Sequence, residues 1–395
     1  MPGGALRIGV DERRARVARR HRLAPAACSD DPVEIARDLV GLHATDPASV
    51  YLGTAARMRE PRLEPVQDAL YETRTLVRML GMRRTMFVLP LDLAAIVQAG
   101  CAGAVAARER RRLEGMIDGV GVHADASAHL LEVELATLEA LAARGEATGA
   151  ELSKDVPALR QEFPFGTGTK WEGVQRLTTR LLVLLGAEGR IVRCRPRGSW
   201  ISSQYRWTPI ESWLPGGLDA WETESAQSEL ARRWLASFGP ATVADLRWWT
   251  GWTAGETKRA LAQVETVEVE LDDGPGLVLA DDLGPVGMVE PWVALLPALD
   301  STVMGWAGRD WYIGSHGPAL FDRSGNAGPT VWCDGRVVGG WAQRKEGEIA
   351  FRLLEDVGSE AADAVAAAAH GLGGLIGDAH VTPRFRTPLE RELAA

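Results

Sequence analysis

The strongest constraint on the fold is an order of elements that recurs three times, three helical segments followed by two short apolar strands around a turn. In the first cycle the spacing of Val33, Ile35, Ala36, Leu39 and Val40 predicts a helix over 31 to 42. Ser29, Asp30 and Asp31 are available to cap it, and Pro32 suits its first turn. Pro47 limits that helix, further helices fit 48 to 58 and 65 to 72, and Thr75 to Pro90 reads as two strands around a basic turn holding Arg83 and Arg84. The second cycle comprises helices over 127 to 143, from Thr148 to about 161 and over 171 to 186, then strands at 190 to 195 and 199 to 207. The third comprises 226 to 238, 242 to 250 and 254 to 263, closing with strands at 266 to 272 and 277 to 280.

Three helices and a hairpin are the order of a winged helix. Beyond 290 the character changes. Strands are expected at 291 to 299, 309 to 314, 329 to 343 and 347 to 355, with one helix near 359 to 376. The expected fold is therefore α+β, with winged-helix modules over 1–125, 126–215 and 216–285 and a β-rich domain over 286–395. A chain of 395 residues is long enough for several cores.

A hydrophobic share of 46% and a charged share of 25% are globular values, and neither a long apolar run nor a basic leader opens the chain. A soluble, cytoplasmic protein is expected, with no membrane partner. Cys28, Cys101, Cys194 and Cys333 are dispersed and form no C-x-x-C pair, against a disulfide framework or a zinc site. No P-loop, dinucleotide fingerprint, H-E-x-x-H or G-x-S-x-G pattern occurs, so neither a cofactor nor a metal is called for.

A net charge of −9 weighs against nucleic-acid binding, but charge is segregated along the chain. Arginines cluster at Arg13 to Arg22, Arg74 to Arg84 and Arg190 to Arg206, while acids gather at 211 to 229 and 265 to 290. The segment Arg190 to Trp207 interleaves Arg190, Arg193, Arg195, Arg197 and Arg206 with Trp200, Tyr205 and Trp207 and contains no acid. Such a hairpin can follow a DNA groove, arginines on phosphates and rings near an unstacked base. The same composition also describes a solvated edge hairpin with its aromatics packed inward.

The most informative short segment is Val40 to Tyr51, VGLHATDPASVY. It sets His43, Thr45 and Asp46 at a helix end, with Asp46 on the face of His43 if the helix persists. Histidine can orient or deprotonate water near neutral pH, and an aspartate can stabilise a cation. The alternative is an Asp-Pro turn and a histidine capping carbonyls. Pro297 to Gly314 and Gly325 to Arg344 read mainly as turns and aromatic packing, a nucleic-acid edge being the lesser reading.

LVGLHATDPASVYL, TLVRMLGMRRTMFVLP, RGSW with QYRW, LLPALDSTVMGW and GNAGPTVWCDGRVVGGWAQR together resemble the bacterial winged-helix DNA-binding family that includes DNA glycosylases of the AlkZ and YcaQ types. The resemblance spans nearly the whole chain. It implies tandem winged helices around a cleft for duplex DNA, a hairpin entering the DNA, and a catalytic Gln-x-Gln or Gln-x-Asp motif. His43, Ala44 and Thr45 stand at that motif, a departure at both polar positions. On this reading His43 handles the water, Thr45 bonds water or phosphate, and Asp46 stabilises positive charge, in a monomeric enzyme that hydrolyses the N-glycosidic bond of bulky alkylated purines or crosslinks. With no lysine in the motif, it is expected to leave an abasic site without cutting the strand. The alternatives are a non-catalytic DNA-binding protein, regulator or damage-recognition factor, and an unrelated small-molecule enzyme resting on the aromatic-rich C-terminal part.

Overall fold

Asp31 accepts a hydrogen bond from the Val33 N–H at 2.8 Å and Pro32 occupies the first turn, so the first cycle opens with the helix Pro32–Asp38. The computed structural model describes residues 6–121, 124–166, 168–169 and 172–395. The helix ends earlier than its periodicity suggests, because Val40 (φ 49°) and Gly41 (φ 104°) leave the right-handed region. Gly41 cannot be replaced cheaply, since a Cβ there would lie 2.5 Å from Leu89 Cδ2. The chain then enters a two-residue strand, Leu42–His43, which pairs with Met86–Pro90. Met86–Pro90 is the middle strand of three, with Leu76–Leu80 on its other side. Helices Pro47–Ala55 and Glu64–Tyr71 lie between the edge strand and the hairpin in sequence.

The second cycle has helices Ala126–Arg144, Gly149–Asp155 and Leu177–Ala187 and the hairpin Ile191–Pro196 with Tyr205–Pro209. Residue 171, where the spacing places the start of its third helix, lies outside the described residues. That helix starts at Leu177 because Gly173–Arg176 instead pairs with Glu162–Phe165 as an additional hairpin. In the third cycle Thr242 with Asp245 and Thr253 with Glu256 form capping boxes that fix the starts of Val243–Thr250 and Ala254–Leu261. Its hairpin is Thr266–Leu271 with Gly274–Leu279.

The C-terminal part is an antiparallel sheet in the order Val293–Leu296, Thr330–Cys333, Arg336–Gln343, Ile349–Leu353, packed on the helix Ser359–Ile376. The strand expected at 309 to 314 is instead a helical turn, Asp310–Ile313. Helical geometry there lets the Tyr312 ring stack on Trp332 at 5.4 Å and its hydroxyl donate to the Val303 carbonyl. The sequence reading does not anticipate the helix Val10–Arg20, the long Leu91–Val120 with its π-turn Gln98–Ala102, or the short helices Ile210–Trp213, Gly317–Leu320 and Pro388–Leu393. Among the described residues Leu91–Val120 alone is long and apolar enough to cross a membrane, but 56% of its apolar window is buried in the protein, the packing of a core helix.

One large core runs from Val17 and Tyr51 through Trp234 and Phe238 to Trp306, Trp332 and Leu389, uniting the first cycle, the third and the C-terminal sheet. A second core around Leu113, Leu130, Leu141, Leu181 and Leu185 holds the second cycle. Through the large core passes a buried ion pair. Arg57 donates to both oxygens of Asp300 at 2.8 and 2.9 Å and also to the His21 carbonyl and Thr302 hydroxyl. This pair ties the loop that follows Val293–Leu296 to the first cycle.

Candidate active site

His43 is placed by backbone bonds on both sides. Its own N–H donates to Ser301 Oγ at 3.0 Å, Ser301 donates on to the Gly41 carbonyl, and the neighbouring Ala44 N–H donates to the Met86 carbonyl at 2.7 Å. The imidazole meets the edge of Phe87 at 5.3 Å, is 6% exposed, and has a buried Nδ1 without a hydrogen-bond partner. Thr45 Oγ1 and Arg83 Nε are likewise buried and unpartnered. An unmet buried donor or acceptor costs about 1–3 kcal/mol, so three around one cavity mark a place built to receive something polar.

That cavity, of about 460 Å³, is lined by His43, Thr45, Arg83, Trp248, Arg309 and Asn326, with Phe385 from the C-terminal tail. Arg83 and Arg84 sit at the tip of the first hairpin with φ of 51° and 61°, a left-handed backbone that non-glycine residues rarely adopt. The tip rests on Gly251, where a Cβ would come 3.2 Å from Arg83 Cγ. The guanidinium of Arg83 lies 3.9 Å from the centroid of the Trp248 ring, and that of Arg309 lies 4.9 Å from the same ring. Arg309 donates to the Trp306 and Gly325 carbonyls.

Burial, and after it the charge of Arg83, pushes the His43 imidazole down to about 3. The ring is therefore neutral at physiological pH; its unpartnered nitrogen can orient a water, and burial beside a cation makes it a weak base that takes a proton only from a strongly acidic donor such as a water already bonded to a sugar cation. Burial, and after it the charge of Arg309, lowers Arg83 to about 10, which leaves it a cation.

A general base with a lowered pKa is in its active form at every pH above that value. If His43 acts so, the catalytic efficiency of base release should stay level between about pH 5 and 8 in a pH–rate profile. Half-loss near the unperturbed histidine value of about 6.5 would mean the base is another group or an open, wet imidazole.

Asp46 does not share a helix face with His43, because the helix ends at Asp38 and His43 is in a strand. Asp46 caps the next helix, its two oxygens accepting from the N–H groups of Ala48 (3.2 Å) and Arg384 (3.0 Å). Burial raises its pKa against those hydrogen bonds. The Asp-Pro turn, the alternative open from the sequence, is the geometry found at this residue.

The arginine-rich hairpin is largely committed to partners. Arg190 pairs with Glu134, Arg195 with Glu72, Arg197 with Glu151 and Arg206 with Glu146, and from the first hairpin Arg84 pairs with Glu109. Arg193 is half-buried against the rings of Tyr205 and Trp207, Tyr205 faces Arg78, and Trp200 leans on Tyr51 at 5.5 Å. The cavity thus gathers His43, Thr45 and Arg83 but not the second hairpin. Sequence reasoning misses Trp248, Arg309 and Asn326 as site residues. They come from the third cycle and the C-terminal part, and no local motif links them to His43.

A family model described as DNA glycosylase AlkZ-like matches residues 36–375. Among solved structures, the Streptomyces sahachiroi DNA glycosylase AlkZ is similar, with a TM-score of 0.73 at 19% identity, over 96% of this chain and 100% of that one. No curated protein matches.

Proposed function

Because the chain belongs to the AlkZ-like DNA glycosylase family, we propose that it hydrolyses the N-glycosidic bond of bulky alkylated purines or interstrand crosslinks in double-stranded DNA, with water managed by His43. The observation that carries this reading is the neutral imidazole, its Nδ1 unpartnered, beside an unpartnered Thr45 hydroxyl in a cavity with two guanidiniums. Its three helix-and-hairpin cycles act as winged-helix modules over 1–125, 126–215 and 216–285, carried with the 286–395 domain on a cytoplasmic monomer.

Alkylation at guanine N7 or adenine N3 makes the base cationic and already a good leaving group. The C1′–N bond breaks with its electron pair passing to the base, which departs neutral and leaves an oxocarbenium-like sugar. Water held by His43 and Thr45 adds to C1′, its proton passes to the imidazole, and an abasic site remains. An open cleft suits bulky adducts better than a closed flipping pocket. Asp46 keeps the His43–Pro47 turn in place rather than touching the sugar. Among the described residues no lysine lines the cavity, which supports release of the base without an imine and with the strand left intact.

The direct test is base release from duplex DNA carrying one N7-alkylguanine, read as heat- or alkali-labile sites. DNA binding without release from any adduct would overturn this proposal in favour of a non-catalytic binder. Arg195 and Arg197 reach phosphate only by giving up Glu72 and Glu151. Replacing both by alanine should lower the slope of log affinity against log salt by about 0.9 for each phosphate that is no longer neutralised. An unchanged slope would remove the second hairpin from the interface.

A further inference from the structure

The charge balance of the cavity is unusual for a site that handles a cation. Arg83 and Arg309 approach the same Trp248 ring, the charge of Arg309 adds to burial in lowering Arg83, and neither forms an ion pair with a carboxylate among the described residues. The carboxylate that acts on Arg309 is Asp245, and its oxygens are taken by Thr242, Ala307 and Gly308. Arg83 is held there in a left-handed backbone with its Nε unpartnered. Two desolvated like charges are stable in such a place when an anion joins them.

We infer that Arg83 and Arg309 form a clamp for one phosphodiester of the lesion strand, stacked about Trp248, and that this clamp seats the damaged nucleotide beside His43. The inference rests on the glycosylase reading and extends it. A cationic alkylpurine is repelled by paired guanidiniums, whereas the anion that DNA offers is its backbone, which the planar fork of arginine fits in two-point fashion. Arg83 is near enough to His43 for its charge to bear on the imidazole. A phosphate on Arg83 therefore lies beside the water that His43 handles. The clamp thereby holds the lesion strand so that C1′ and the attacking water meet at His43. Among the described residues no carboxylate lines the cavity to compete with the phosphate for the two guanidiniums.

The test is a cycle between protein and DNA. Duplexes with one N7-alkylguanine are made with a neutral methylphosphonate at each flanking phosphate in turn, and single-turnover release is measured for wild type, Arg309→Met and Arg83→Met. One neutralised phosphate should slow wild type by about 10- to 100-fold, the worth of a charge-assisted hydrogen bond, and leave the variants almost unaffected by the same change. If the methylphosphonate slows variants and wild type alike, or no position matters to wild type, the clamp is wrong. Arg309→Lys, which keeps charge but loses the fork, should fall between and serves if the methionine variant does not fold. If wild type releases no base at all, the glycosylase reading fails instead. The same cycle is then read on equilibrium binding of these duplexes, where additive losses would overturn the clamp.

Discussion

Replacing His43 by alanine is expected to slow base release by about 100- to 10,000-fold, the usual contribution of a positioned general base, while DNA binding and folding stay close to wild type. The expectation follows from placement. The backbone of His43 is fixed by a strand pairing and by Ser301, and its ring is neutral through burial and has a nitrogen that no described residue satisfies. The variant removes the acceptor without removing a hydrogen bond from the fold, so its cost in stability should be that of a small cavity. His43→Gln places at this position the residue that the family motif implies and should recover part of the rate, since an amide oxygen can still orient water. Release from His43→Ala at the wild-type rate would show that the water is held elsewhere, whatever the reaction.

The second large effect is on stability. Arg57→Met should cost about 3–5 kcal/mol of unfolding free energy, because it leaves the Asp300 carboxylate buried without its cation. Asp300→Asn should be comparably harmful from the other side, stranding Arg57. Both partners are almost wholly enclosed, so water cannot take over. The double variant Arg57→Met, Asp300→Leu should regain much of the loss, since an apolar pair requires no desolvation of charge. The loop anchored by Asp300 also carries Leu299 and Met304 into the cavity wall, so the single variants should lose base release along with stability. Denaturant midpoints that barely move would mean the pair is solvated in solution.

Much of the fold is legible locally. Asp31 with Pro32, Thr148 with Glu151 and the spacing of Leu177, Leu181, Leu184 and Leu185 are short-range signals, and each specifies a helix that is present. The turns of the first and third hairpins are legible for the same reason, but in the second the connection runs on to Gln204 and the return strand begins at Tyr205 rather than at 199. Where sequence and structure differ, a longer-range pairing wins. Val40 and Leu42 fit the helical spacing before them, but pairing with Val88 and Phe87 draws the chain into a strand, and Gly41 is the local sign of it. The extra hairpin Glu162–Phe165 with Gly173–Arg176 displaces the start of a helix in the same way. Around Tyr312, stacking on Trp332 decides a turn of helix over a strand.

The sequence by itself determined the α+β order of elements, the three helix-and-hairpin cycles and the β-rich end, because these depend on capping, periodicity and turn chemistry within a few residues. Only the tertiary structure decided what surrounds the imidazole. Arg83 from the first hairpin, Trp248 from the third cycle, and Arg309 and Asn326 from the C-terminal part converge because one core fuses those regions. The same packing turned most of the arginine-rich hairpin inward or onto acids, since a guanidinium in a crowded cleft takes the nearest carboxylate or ring. Arg83 and Arg309 form no ion pair with a carboxylate among the described residues, and that difference, set by packing between segments far apart in the chain, is invisible to any local pattern.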